Sequence, residues 1–342
     1  MLKGITVGCG YFGQIQLEGW ERVAGGRIQA VVDKDEAKAK ETAEKFGISG
    51  CYTDLKEGIE NEELDFVDVV TGPVTHREMV KTAAEAGLDV LCQKPIAPNW
   101  GDSVQLVRAC EESGVRLMIN ENWRWQPWYQ KVKELIEAGT IGELNTIDII
   151  RHESDALQSP PFSDQPYFLE MEPFLLIESV IHQIDTTRFL GGEIREVFGD
   201  LRRVSGVTNG EDSVCLNLRL EEGRLGRIYS TRTSEPNMPD PRCDYARIEG
   251  EGGFIRLDRD GTVTVKPLFE PPREVDYEIP EEGYRGGSCR AALAHFARRL
   301  REGGPFQTGG RDYLEGVMKA VFAGYRSDEL GESIELDSLL NY

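Results

Sequence analysis

The sequence predicts an α/β protein: an N-terminal domain wound around a parallel sheet, then a C-terminal α+β domain built on a largely antiparallel open sheet. Three observations carry this. Residues 4–119 alternate short apolar runs with helix-like segments that stop at glycines. A G-x-G-x-x-G string follows the first apolar run. After about residue 120 the alternation gives way to successive strand-like segments. At 342 residues the chain suits two domains, set at 1–120 and 121–342, with the last helices free to pack back on the first.

The first run, Ile5-Thr6-Val7, leads into Gly8, Gly10 and Gly13. Gly8 lets the chain turn off the strand. Gly10 has no Cβ to keep a pyrophosphate away. Gly13 lets the next helix pack close to the sheet with its N–H groups aimed at phosphates. Tyr11 and Phe12 complete this loop. The second run, Ile28–Val32, ends in Asp33, twenty residues after Gly13, where a carboxylate meets the two hydroxyls of an adenosine ribose. Strand, helix and acid in that order make a Rossmann dinucleotide-binding signature. A carboxylate repels a 2′-phosphate, so NAD is expected over NADP.

DKDEAKAKETAEKFG reads as a helix stopped by Gly47. Asp65–Val70 is a buried strand. Thr75 is expected to cap HREMVKTAAEAG, which Gly87 closes. Leu88–Cys92, Ser103–Ser113 and Val115–Ile119 read as strand, helix and strand. Ligands of such a sheet bind beyond the carboxyl ends of its strands, where Gly8–Gly13, Thr71–His76 and Gln93–Pro95 fall. In the second half, Pro127–Ala138 is a helix and Leu144–Arg151 a strand. A loop rich in Pro and Phe covers 158–174, and a helix runs through Glu178, His182 and Asp185. VCLNLRL, LGRIYSTR, ARIEG, FIRLD and TVTVKP are strands, and helices cover 288–302 and 311–328. One face of this sheet is expected under the helix of His182. The other is expected to be partly apolar through Val214, Leu216, Leu218 and Leu220, and so to need a partner.

Composition narrows the function. Net charge is −21 and pI about 4.7, which repels nucleic acid and anionic membrane. No apolar run reaches the ~18 residues of a membrane helix. The seven cysteines are scattered and form no C-x-x-C pair, which fits a reducing, cytoplasmic setting rather than a disulfide framework.

Two residues stand out for chemistry. Lys94 precedes Pro95 at a strand's carboxyl end, where the nicotinamide of a dinucleotide lies. His182 has Glu178 four residues before it and Asp185 three after, so all three share one helix face and an acid can orient the imidazole for proton transfer. Carboxylate–His–carboxylate on one helix makes a poor closed metal site, so no metal is expected. Asn120–Trp128 holds three tryptophans and Arg124, aromatics suited either to stacking on a sugar or to packing. Arg151 ends a strand near them in the sequence.

The chain resembles the Gfo/Idh/MocA family of NAD(P)-dependent oxidoreductases over nearly its whole length. The resemblance rests on VGCGYFG, AVVDKDEAKAKETAEKFG, TGPVTHREMVKTAAEAGLDVLCQKPIA, NWRWQPWYQKVKELIEAGTIGEL, ESVIHQIDTTRFLGGEI and DYLEGVMKAVFAGYRSDELGESIEL. It implies that Lys94 is the lysine of the E-K-P motif and His182 the histidine of D-x-x-x-H-x-x-D, with Glu178 at the first acidic position and Asp185 at the last. Two departures are plain: Gln93 stands where the family usually has Glu, and Glu178 where it usually has Asp. ENWRWQPWYQ, DQPYF and Glu-x-x-x-His resemble the D-apiose dehydrogenase branch. The resemblance implies hydride transfer between NAD and a hydroxyl or hemiacetal carbon of a sugar or polyol, D-apiose included. It implies catalytic Lys94, His182 and Glu178. The cofactor would meet Gly8, Gly10, Tyr11, Phe12, Gly13, Asp33, Thr71, His76, Gln93 and Lys94. The substrate would meet Lys94, Trp123, Arg124, Arg151, Glu178 and His182. It also implies a homodimer or homotetramer joined through the second sheet. Two rival functions remain open: a glycosidase that oxidises its substrate transiently on held NAD, and a non-catalytic nucleotide sensor.

Overall fold

A computed structural model describes residues 1–235 and 242–341. In chain order the elements are β1 (Leu2–Val7), α1 (Tyr11–Trp20), β2 (Gly26–Val32), α2 (Glu36–Phe46), β3 (Gly50–Tyr52), α3 (Leu55–Asn61), β4 (Phe66–Val69), α4 (Pro73–Glu85), β5 (Asp89–Gln93), α5 (Trp100–Ser113), β6 (Leu117–Asn120), α6 (Pro127–Glu137) and β7 (Leu144–His152). They continue with α7 (Ile181–Gly191), β8 (Ile194–Arg202), β9 (Ser213–Leu220), β10 (Leu225–Thr231), β11 (Tyr245–Gly250), β12 (Gly253–Leu257), β13 (Val263–Pro267), β14 (Arg273–Glu274), α8 (Tyr284–Glu302), α9 (Gly310–Tyr313), α10 (Lys319–Leu330) and β15 (Ile334–Glu335).

The chain divides into two compact units. One is Met1–Trp125 with Pro280–Glu315, and the other is Gln126–Ile279 with Gly316–Tyr342. The sequence reading set its boundary near 120 and left the place of the last helices open.

The first unit is a six-stranded sheet in the order β3-β2-β1-β4-β5-β6, every pairing parallel. Helices cover both faces of the sheet, which is why the central β4 and even the edge strand β6 are buried throughout and read as continuous apolar runs. α8 belongs here because its Phe296 joins Trp20 and Phe66, the latter pair stacked at 5.0 Å, in one core cluster with Leu91 and Met118. Helix starts follow local chemistry. The Asp35 carboxylate accepts from the N–H groups of Ala37 and Lys38 to cap α2, and Asn99 caps α5 through Asp102 N. Thr75 does not cap α4. Pro73 lacks an N–H and has its φ preset, so the helix starts there after Gly72 and Thr75 falls within the first turn. Its hydroxyl donates to Gly72 O at 3.0 Å and Thr71 Oγ1 at 2.8 Å.

The second unit is a nine-stranded sheet in the order β14-β13-β12-β11-β7-β10-β9-β8-β15. Among the described residues only β7 and β10 pair in parallel. Val214, Leu216, Leu218 and Leu220 are buried on the helix-covered face, which corrects the expectation that they form the open one. Leu220 reaches Gly191 of α7, and Leu216 reaches Gly324 of α10. Alternation separates two faces but does not say which one meets the helices. The apolar set went to the side where helices supply apolar surface. The other face shows Cys215, Asn217, Arg219, Phe198 and Tyr229. The helix of His182 does not begin as an α-helix: Leu176–Val180 is a π-helical turn that runs into α7.

Candidate active site

In the first unit the glycine loop has the geometry its residues imply. Gly8 has φ +107° at the end of β1, and a Cβ on it would lie 2.7 Å from Val70 O. A Cβ on Gly13 would lie 2.2 Å from Gly8 O, so only glycine lets α1 approach the strand. A Cβ on Gly10 would meet nothing within 4 Å, so the space beside it is open. α1 has no side-chain cap and no acid in its first turn, so its leading N–H groups suit an anion. Asp33 accepts from Cys9 N through Oδ2 and from Asp35 N through Oδ1, both at 2.9 Å. Each oxygen keeps a lone pair for a ribose hydroxyl. Tyr11 is exposed, and Phe12 meets Tyr284 edge-on at 5.7 Å. These residues fit a dinucleotide.

The ends of β4 and β5 are tied together. The fully buried His76 faces Thr71 O with Nε2 at 2.9 Å, and Pro95 O and Ile96 O with Nδ1 at 3.1 and 3.2 Å. Burial lowers its pKa, and all its ring contacts are to backbone carbonyls, so it braces the loops that carry Thr71 and Lys94. Lys94 is half-buried, directly after β5. Gln93 Nε2 donates to Gln16 Oε1 at 2.7 Å, as does Asn120 Nδ2 at 2.6 Å, and Gln16 Nε2 donates to the buried Asp68. Trp123 and Arg124 are packed. Trp123 is 4% exposed under the Arg285 guanidinium, and Arg124 donates to Gln307 O.

In the second unit Glu178 lies half-buried in the π-turn, and His182 and the fully buried Asp185 lie on α7. Near Glu178 is a buried ionic network. Arg151 Nη1 binds Asp244 Oδ1 at 2.9 Å and its Nη2 binds Glu153 at 2.8 Å. Tyr129 and Gln183 also donate to Asp244. Arg232 donates to Asp155 at 2.8 Å and Ser179 at 2.6 Å. Burial lowers the Arg232 pKa against the charges of Asp155, Glu153 and Glu178, and burial raises that of Asp155. Of this network the sequence reading had singled out only Arg151. Asp155 and Arg232 are 77 residues apart, and only an arginine at the end of an apolar strand hinted at it. Among the described residues no group of three His, Cys, Asp or Glu side chains is arranged to hold a metal, and no helix is long and apolar enough to cross a membrane.

Comparison with known proteins extends this. The chain is 34% identical to a D-apiose dehydrogenase of Paraburkholderia graminis, over 98% of this chain and 90% of that one. It is 31% identical to a D-apiose dehydrogenase of Rhizobium rhizogenes, over 99% of both. An oxidoreductase from Agrobacterium radiobacter, solved in complex with NAD+, L-tartaric acid and magnesium, is 29% identical over 99% of both chains and superposes with a TM-score of 0.93. Residues 3–121 match the oxidoreductase family with an NAD-binding Rossmann fold, and residues 129–256 match the C-terminal domain of the same family. With the glycine cradle and Asp33 in one unit and the mixed sheet in the other, the chain belongs to the Gfo/Idh/MocA family of NAD-binding oxidoreductases.

Proposed function

We propose that this protein is an NAD-dependent dehydrogenase of a sugar or polyol, with D-apiose the first substrate to test. The observation that carries the reading is Lys94, half-buried at the carboxyl end of β5 in the unit that also holds the glycine cradle. NAD, held by the glycine loop and Asp33, would supply the hydride acceptor. The protein's own part is proton transfer and charge stabilisation. His182 and Lys94 are the groups that take the substrate hydroxyl proton, and the Lys94 ammonium steadies the developing oxygen charge. Glu178 orients His182. Gly8, Gly10, Gly13 and the α1 N-terminus hold the pyrophosphate, with Tyr11, Phe12 and Thr71 lining the loops beside it. Asp33 holds the ribose diol and disfavours NADP. His76 and Gln93 brace the strand end, and Arg151 faces the substrate region.

A panel of sugars and polyols with NAD and with NADP, followed by absorbance of the reduced nicotinamide, tests this. Reduced NAD released in proportion to sugar consumed supports a dehydrogenase, and turnover without released cofactor overturns it. The open face of the second sheet, with Phe198 and Tyr229 exposed, supports a homodimer or homotetramer joined through it. Light scattering giving a mass near the single-chain 38.3 kDa overturns that. The seven cysteines, with no disulfide among them, support a cytoplasmic location.

A further inference from the structure

Asp68 is a charge-bearing residue in the middle of a buried parallel strand, and every side chain that donates to it is neutral. Trp20 Nε1 donates to Oδ2 at 2.8 Å, Thr6 Oγ1 to Oδ2 at 3.4 Å, and Gln16 Nε2 to Oδ1 at 2.5 Å. The Asp68 charge in turn helps raise the pKa of two buried thiols, Cys92 on β5 and Cys289 on α8, which burial already holds neutral. An ionised carboxylate only accepts hydrogen bonds. It therefore fixes the nitrogen of the Gln16 amide toward itself. Gln16 Oε1 then points the other way and takes the amide N–H groups of Gln93 and Asn120. Gln93 is left with its oxygen turned away from Gln16, in the residue before Lys94. Asn120 Oδ1 is left buried without a partner.

We propose that Asp68 and Gln16 are positioning residues that set which end of the Gln93 amide is turned away from Gln16 at the carboxyl end of β5: an acceptor when Asp68 is ionised, a donor when it carries a proton. A protonated Asp68 donates its O–H to Gln16 Oε1. The Gln16 amide turns over, and its two N–H groups go to Gln93 Oε1 and Asn120 Oδ1. In the reversed state Asn120 Oδ1 is partnered and its Nδ2 takes the place left without one, so the two states hold equal numbers of hydrogen bonds in this relay. Burial also places the Asp68 pKa near 7, where both states are populated. An acceptor end bonds an ammonium or a carboxamide N–H, and a donor end repels both.

The proposal rests on the reading of the β5 end as part of the cofactor site, but its test is separable from turnover. Asp68→Asn imitates the protonated state. The Trp20 indole is only a donor, so the new amide gives it the oxygen and turns its nitrogen to Gln16, which reverses. Gln93→Glu sets a carboxylate against Gln16 Oε1 in the native background, but against Gln16 Nε2 once Asp68→Asn has reversed the relay. Gln93→Glu alone is expected to weaken NAD binding by calorimetry about tenfold and to lower the urea midpoint. Added to Asp68→Asn it should cost little in either, a non-additivity expected only of coupled side chains. Additive losses overturn the relay. In the unmutated protein, which needs no variant to fold, the Trp20 indole N–H signal by NMR should shift with pH around neutrality and stay fixed in Asp68→Asn. A Trp20 signal that does not move between pH 5.5 and 8.5 overturns the dependence on a proton.

Discussion

The two units bury charge in different ways. The first holds Asp68 among neutral donors and extends it through the amides of Gln16, Gln93 and Asn120. The second holds ion pairs, Arg151 with Asp244 and Glu153, and Arg232 with Asp155. A lone buried acid gains or loses a proton at modest cost, so its surroundings have two states. A paired acid is locked while its cation stays, and removal of that cation strands a charge. The first arrangement suits a site whose hydrogen-bond polarity matters. The second suits a rigid wall.

The sharpest test asks whether chemistry draws on both units. Lys94→Ala in the first and His182→Ala in the second should each lower kcat by about 10²–10⁴, the usual range for a positioned proton-transfer group. NAD affinity, by calorimetry, should barely change. Turnover near that of the unmutated protein in either variant would confine the chemistry to one unit.

Arg232→Leu probes the locked wall. It leaves the Asp155 carboxylate buried without its guanidinium, and the expected loss is about 3–5 kcal/mol of unfolding free energy in urea at pH 7.5. Part of the loss should return as pH falls and Asp155 takes a proton. A loss that is the same at every pH would mean that the pair matters only as packing.

Asp68→Asn probes the lone acid through stability. Burial raises its folded pKa from 3.8 to about 7, so between those values the folded state binds a proton that the unfolded state has released. Its contribution is therefore present in full below about pH 4 and is lost as pH rises through 7. Asp68→Asn should flatten the stability–pH curve in that window, and an unchanged slope would place the titration elsewhere.

The smallest expected effect is on cofactor choice. Asp33→Ala removes acceptors worth roughly 1.5–3 kcal/mol per hydrogen bond. It should weaken NAD more than NADP, measured as the ratio of the two dissociation constants. An unchanged ratio would leave Asp33 only its bonds to Cys9 N and Asp35 N.

What was legible in the sequence was what local chemistry decides. Gly8, Gly13 and Gly47 announced themselves because a sharp turn, a close approach and a left-handed helix end each demand glycine. The parallel strands showed because burial on both faces leaves apolar runs. β3 and α3 were not seen, since three and seven residues are too few to establish a period. Thr75 was misplaced because a proline two residues earlier makes a stronger helix start than a hydroxyl. The face of β9 was misassigned because alternation is symmetric until the covering helices are known. The Gln16–Asp68 bond spans 52 residues and joins a helix to a strand, so nothing in either segment names the other. Asp68 itself passed as part of an apolar strand, because one acid inside FVDVV does not disturb the run.

The π-turn at Leu176–Val180 makes chain length, rather than residue identity, the sensitive variable in this helix. A π-turn carries one residue more than an α-turn, and one residue in an α-helix amounts to about 100° of rotation. Deleting any single residue of that turn would keep Glu178 or a neighbour in place by name while swinging it to another side of the axis from His182. The segment behaves as a keyed joint, with no tolerance for a shortened count.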